Sequence, residues 1–349
     1  MIHLPKPLAM SAAGLGAIVL AFASRAESPV DAPGAVRMAG ENLAVIQTGA
    51  IYPEGIEYNP VTGKFLLGAF REGGVYEIDQ DGGYRPLVTD ERLVTVLGIR
   101  VDVRRNRLLV ATSDLGVSKH RSIEGPTKFA ALGIYNLATG APLKFVNLGS
   151  LRPASESHLA NDLAIDNDGN AYITDSLAPV IYRVDVDGNA SVLVENKAMF
   201  SGDGVNLNGI VFHPGGYLIV VKKSDGSLFK VPLQNPAQLS IIQAPQKFVA
   251  GDGLVLVDPN KLIVIANRVG ASVTNTAFAL SSADDWTSAR IVGEFRFPSD
   301  DYPTTGAVKD SKIFVSAGGV NRLLADFAAE KATGFSRKAV LQQVGVAGR

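Results

Sequence analysis

No cysteine occurs anywhere in the chain. Disulfides, thiolate metal centres, iron–sulfur clusters and a cysteine nucleophile are therefore excluded, and the redox compartment is left open. Histidine is scarce, with four residues and no cluster, which argues against a dedicated zinc centre. An excess of one charge is lacking too. The 33 basic residues are balanced by 34 acidic ones, and no charge run argues for a nucleic-acid or anionic-membrane partner. There is no Gly-x-Ser-x-Gly elbow, no Walker-type phosphate loop and no His-Glu-x-x-His helix.

What is present is apolar and rich in turns. Hydrophobic residues make up 46% of 349 positions, ample for a sizeable core, and 36 glycines with many Asp-Gly and Asn-Gly pairs suit short strands and tight turns. Residues 1–26 are expected to be a secretory signal: Lys6 lies ahead of the uncharged apolar run Leu8 to Phe22, and small residues follow at Ala21-Phe22-Ala23 and Ser24-Arg25-Ala26. That run is shorter than the roughly 20 residues that span a bilayer, so the expected location is secreted or periplasmic, with no membrane partner once the signal is removed. Residues 27–41, with Pro29 and Pro33 and no periodicity, are expected to be a tether, and 42–349 the folded domain.

From Leu43 onward the apolar spacing is that of strands, and one phrase recurs. Six tripeptides each open a short apolar strand: Glu54-Gly55-Ile56, Leu97-Gly98-Ile99, Asn161-Asp162-Leu163, Asn208-Gly209-Ile210, Asp252-Gly253-Leu254 and Thr305-Gly306-Ala307. Their separations are 43, 64, 47, 44 and 53 residues. After Asn161, for example, Leu163–Asp166 turns through 167–170 into Ala171–Asp175 and then Val180–Asp185. A strand repeat of about 40 to 50 residues is the mark of propeller blades, which bury their faces only against neighbours. The expected fold is all-β: a six-bladed β-propeller of four-stranded antiparallel blades around a central channel. Ala131–Asn136 is expected as the third strand of the second blade, after an insertion from Leu115 to Ala130, and Leu43–Ile46 as the outer strand that closes the ring. Phrases such as Asp185-Val186-Asp187-Gly188 read as hairpin turns, because they lack the downstream Glu and helical flanks of a calcium loop.

In such a ring the residue just before each inner strand sits at one rim of the pore. Here these are Glu54, Leu97, Asn161, Asn208, Asp252 and Thr305, and the ends of the second strands add Arg71, Asp114, Asp175, Lys222 or Lys223, Asn267 and Ser316. Glu54, Asn161, Asn208 and Asp252 together make an oxygen-only set with two formal charges. Without a cation the carboxylates repel in a partly desolvated channel, and Ca²⁺ is the expected ion, with other divalent metals also able to use such a site. Any one Asn-Gly or Asp-Gly is usually only a turn dipeptide; four in phase are a constellation.

These phrases resemble those of the SMP-30/gluconolactonase/LRE-like six-bladed propellers, over roughly residues 50 to 325. The resemblance rests on the Glu-Gly phrase at Glu54, the Asn-Asp phrase at Asn161, the Asn-Gly phrase at Asn208 and the Asp-Gly phrase at Asp252, in order and in matching blades. It implies a metal-dependent lactonase or esterase with Asp252 as proton-transfer residue beside its metal role. Two departures stand out. Leu97 occupies the pore position where paraoxonase-like relatives carry a His, and Ser155-Glu156-Ser157-His158 stands where gluconolactonase-like relatives place a substrate-gripping Arg. A sugar lactone is thereby disfavoured as substrate.

The chemistry expected is attack of water on a metal-polarised ester carbonyl, with Asp252 as acid/base and His158 as the alternative base. Arg71, Asp175, Lys222 (or Lys223) and Asn267 are the candidate contacts to a small-molecule substrate. A non-catalytic propeller that binds a small molecule or protein around a structural metal is the second function class, and a condensing activity like that of strictosidine synthase a third.

Overall fold

The computed structural model describes residues 36–37, 40–47, 51–79, 82–270, 272–299, 301–325, 327 and 338–344. The expected signal over 1–26 and most of the expected tether lie outside the described residues. The last part of that tether is already strand, at Val36–Arg37 and from Gly40 onward.

Six antiparallel sheets surround one axis. Their inner strands are Pro53–Asn59, Thr95–Asp102, Ala160–Ile165, Leu207–His213, Gly251–Asp258 and Pro303–Lys309. Each packs against the inner strands of both neighbouring sheets, and the sixth packs against the first. This is the six-bladed propeller expected from the repeat. The second blade takes Ala130–Asn136 as its third strand, after the insertion. In the sixth blade Gly40–Gln47 pairs antiparallel with Lys338–Val344 as the outermost strand, so the start of the domain closes the ring as expected. The fifth blade carries one strand more than the repeat implies, Val36–Arg37, which runs parallel to Arg290–Arg296.

The second strands explain why the sequence reads as near-continuous apolar runs. Each is covered on both faces, so alternate residues feed different inter-blade cores. In Arg107–Ser113, Leu109 and Ala111 pack toward the third blade, while Leu108 and Val110 pack toward the first. In Tyr217–Lys222 the same split sends Ile219 and Val221 to one core and Leu218 and Val220 to the other. Burial of each such aliphatic side chain contributes about 1.5–3 kcal/mol.

All six inner strands carry a β-bulge at the recurring tripeptide. The register against the second strand slips by one residue between Pro53 and Ile56, Val96 and Ile99, Ala160 and Leu163, Leu207 and Ile210, Gly251 and Gly253, and Pro303 and Gly306. A bulge re-aims the extra side chain, here toward the axis. The glycines of the tripeptides have a separate cause. A Cβ on Gly55 would lie 2.2 Å from the Leu97 carbonyl oxygen, one on Gly209 2.5 Å from that of Asp252, and one on Gly253 2.5 Å from the Thr305 Cα. These residues are where one inner strand touches the backbone of the next, so the Asn-Gly and Asp-Gly phrases at Asn208 and Asp252 are contact points of the ring and not turns.

Gly209→Ala is expected to lower stability by about 3 kcal/mol, the upper end for overpacking against atoms that cannot move aside. Gly149→Ala, whose added carbon would meet nothing closer than 3.5 Å, is expected to change it by less than about 0.5 kcal/mol. Urea unfolding midpoints check both.

Candidate functional site on the axis

The bulges bring Glu54, Asn161, Asn208, Asp252 and Thr305 around one small cavity, joined by Asp162 and Thr304. All are at least nine-tenths buried, and the gap between them is too tight for a water-sized sphere. Leu97, the sixth rim residue, joins an apolar layer instead, with Tyr52, Phe70, Val117 and Leu159. Val320 and Leu323 of the short helix Val320–Ala325 pack into that layer. Because Tyr52 and Leu159 each precede an inner strand by one residue, the layer lies just outside the rim.

Asp252 is the most heavily engaged of the set. Asn208 Nδ2 donates to its Oδ1 at 2.5 Å, Asn267 Nδ2 donates to its Oδ2, and the Lys223 ammonium lies 3.1 Å from the same Oδ2. Lys223 Nζ also donates to Asn267 Oδ1 at 2.7 Å. Asn161 Nδ2 donates to Ser176 Oγ at 2.9 Å. Both rim amides therefore spend an N–H on a protein acceptor, and each keeps its carbonyl oxygen. Among the described residues the Glu54 carboxyl meets its neighbours through charge alone, with no side-chain hydrogen bond or ion pair, and the buried Thr305 hydroxyl has no hydrogen-bond partner. Burial first, and then the charges of Asp252 and Asp162, push the Glu54 carboxyl well above the usual carboxylate range, only partly opposed by Lys223 and Arg100.

Three residues below the rim, a second ring lines the other end of the channel. Glu57, Arg100, Ala164, Val211, Val255 and Val308 stand in phase there, around a cavity of about 330 Å³. Arg100 Nη2 donates to Asp162 Oδ2 at 3.2 Å and its Nε lies 3.9 Å from Glu57. Sequence reasoning missed this pair. Its signal is a charged residue in phase with Glu54 and Leu97 inside strands whose other in-phase residues are Ala and Val.

The remaining candidates are sorted by their contacts. Asn267 belongs to the site through Asp252. Of the adjacent lysines, Lys223 turns to the axis, while Lys222 donates to the Ser201 carbonyl at 2.7 Å and lies 3.1 Å from Asp225. Lys222 is thus corrected to Lys223 as the lysine of this site, because strand alternation directs only one of the two inward. His158 does not line the cavity. It is buried, with Nδ1 2.9 Å from Asp175 Oδ2, and Tyr182 donates to that oxygen at 3.1 Å. Asp175 Oδ1 accepts from the amides of Leu159, Leu177 and Ala178, so this carboxylate is spent on holding the loops around it. Arg71 stacks over the Phe327 ring at 5.2 Å. Asp114 accepts from the Gly116 and Ser122 amides within the second-blade insertion, and Ser316 donates to the Pro53 carbonyl. Among the described residues no group of three or more His, Asp or Glu is placed to hold an ion. Nor is any helix there long and apolar enough to cross a membrane.

Fold and site together define a six-bladed β-propeller with an acidic, amide-rich centre on its axis. No family model matches the sequence, and no curated protein matches it either. Among solved structures the chain is similar to the major allergen Mala s 1 of Malassezia sympodialis, at 17% identity over 87% of this chain and 96% of that one, with a TM-score of 0.66. It is similar to regucalcin, a calcium-binding protein of Agrobacterium tumefaciens, at 18% identity over 90% and 97% of the two chains, TM-score 0.59. A gluconolactonase of Xanthomonas campestris is similar at 15% identity over 88% and 89%, TM-score 0.57. Identities this low establish the shared fold.

Burial raises the Glu57 carboxyl, with Arg100 and the Tyr58 amide only partly opposing it. A carboxyl whose folded pKa exceeds its unfolded one keeps its proton where the unfolded chain has lost it, so stability falls as pH climbs above the ordinary 4.5. The wild type is expected to lose stability relative to Glu57→Gln as pH rises through that window; urea unfolding at a series of pH values checks it, and a constant difference would count against it. Asp175→Ala, which strands three backbone donors, is expected to cost about 3 kcal/mol or more in the same assay.

Proposed function

We propose that this protein is an exported, cation-dependent hydrolase of a lactone or other ester, acting at the axial site. The observation that carries the reading is the Glu54 carboxyl, buried beside Asp252 and Asp162 with no hydrogen-bond or ion-pair partner among the described residues. A buried anion in that position is costly until a cation meets it. The donor chemistry fits a hard divalent ion, Ca²⁺ first: two carboxylates, the free carbonyl oxygens of Asn161 and Asn208, and the orphaned Thr305 hydroxyl. Glu54, Asn161, Asn208 and Asp252 would hold it. The calcium-binding and gluconolactonase descriptions of the similar structures support the same reading.

When bound, such an ion polarises an ester carbonyl and stabilises the oxygen that becomes negative. The chain's own residues prepare the rest. Asp252 Oδ2 is used twice, by Asn267 and Lys223, whereas Oδ1 is engaged once; with an ion in the place of Lys223 on Oδ2, the remaining lone pair of Oδ1 would take the proton of an attacking water. Asn208 and Asn267 fix the plane of that carboxylate, which makes Asp252 the acid/base of the reading. An apolar layer of Tyr52, Leu97, Val320 and Leu323 packs beside the rim. That layer favours a substrate with an apolar body.

The test is a panel of lactones and aryl esters turned over by the purified protein with CaCl₂, MgCl₂, MnCl₂ or chelator. Cation-dependent hydrolysis is expected, falling at least about 100-fold in Glu54→Gln and in Asp252→Ala per folded molecule. Hydrolysis indifferent to chelator and to both substitutions would remove the proposal, and cation-dependent melting without turnover would make the protein a binding propeller.

A further inference from the structure

We infer that Lys223 is the site's tethered counter-cation: its ammonium stands in the charge position of a divalent ion, so cation binding is a displacement of Lys223 and not the filling of an open cage. This rests on the cation reading above and deepens it by naming what regulates affinity.

Three observations converge. Lys223 is buried, and its ammonium touches Asp252 Oδ2 at 3.1 Å and Asn267 Oδ1 at 2.7 Å, so it already neutralises the carboxylate a cation would need. The gap enclosed by Glu54, Asn161, Asn208, Asp252 and Thr305 admits no water-sized sphere. An ion at calcium–oxygen distances of about 2.3–2.6 Å from Asp252 would lie against the ammonium, and like charges at that range in a buried site repel strongly. The third observation supplies the way out. Lys223 is fixed at its backbone, where its N–H donates to the Asn206 carbonyl and its carbonyl accepts from Ala250 N–H. Its four-carbon arm is the movable part, and while on Asp252 its Nζ already stands 5.7 Å from the centre of the Tyr302 ring. An ammonium pushed off Asp252 keeps that cation-attracting surface beside it.

This arrangement differs in kind from a site made only of acidic and amide oxygens. Such a cage relies on its ion at every carboxylate, whereas here Lys223 already meets Asp252 and only Glu54 is left uncompensated. Divalent affinity is then set by how readily Lys223 gives up Asp252.

The experiment titrates CaCl₂, MgCl₂ and MnCl₂, each alone, into the full chain by calorimetry, for wild type and for Lys223→Met, and follows thermal unfolding of both in chelator and in CaCl₂. Lys223→Met is expected to bind Ca²⁺ at least tenfold more tightly than wild type. It is also expected to melt below wild type in chelator and to regain that loss when CaCl₂ is added. Equal or weaker Ca²⁺ binding by Lys223→Met overturns the inference while leaving the cation reading of the site in place. If neither protein binds Ca²⁺, Mg²⁺ or Mn²⁺, both readings fall. Should Lys223→Met not fold even with CaCl₂, Lys223→Arg decides: the bulkier guanidinium keeps the charge and is expected to weaken Ca²⁺ binding at least tenfold, and unchanged affinity overturns the inference.

Discussion

Backbone-to-backbone contact between inner strands, at the bulge each of them carries, is the constraint on which the rest of this protein depends. Gly55, Gly98, Gly209 and Gly253 sit where a side chain would run into the next blade. Their hydrogens let six strands close around an axis narrow enough for rim side chains to meet. The extra residue of each bulge re-aims the strand, and in five of the six blades it brings the rim side chain to the shared cavity. The third blade departs from the pattern in an informative way. Asp162 stands where the other tripeptides have glycine, its Cα against Gly98, and its carboxylate enters the channel to accept from Arg100 and the Ile210 amide.

That closure makes the axis an electrostatic column. Asp252 with Lys223, the unpartnered Glu54, Asp162 with Arg100, and Glu57 follow one another through a space walled by apolar strands. Each ion is costly to bury, and the two cations Lys223 and Arg100 offset part of the charge of the four carboxyls. The compensation is uneven. Glu54 alone lacks a partner, and its carboxyl responds by moving well up from its ordinary range. An apolar layer that includes Leu97 and Leu323 packs beside the rim.

Much of the fold was legible because blade architecture is a local property repeated. The unbroken apolar run Leu218–Val221 marks a strand with two buried faces, and the spacing of the tripeptides marks one unit per blade. The convergence of Glu54, Asn161, Asn208 and Asp252 was legible for the same reason: phase within a repeat becomes height along an axis. The Arg100 and Glu57 ring lay in the same phase, three residues further on, and needed only the same reasoning carried one step deeper. His158 was misleading because closeness in sequence to Asn161 says nothing about which side of a blade a ring faces; it pairs with Asp175 inside the third blade.

The sequence by itself therefore determined the propeller, its closing strand and the four oxygen-bearing side chains that share its axis, since each follows from period and phase. Tertiary structure alone decided the partners those side chains meet. Lys223 and not Lys222 reaches Asp252, Asn267 arrives from the strand beside it, and Leu97 disappears beneath Val320 and Leu323. Such pairings depend on how neighbouring blades interlock, at separations along the chain that no local pattern encodes, and they set the charge at the centre.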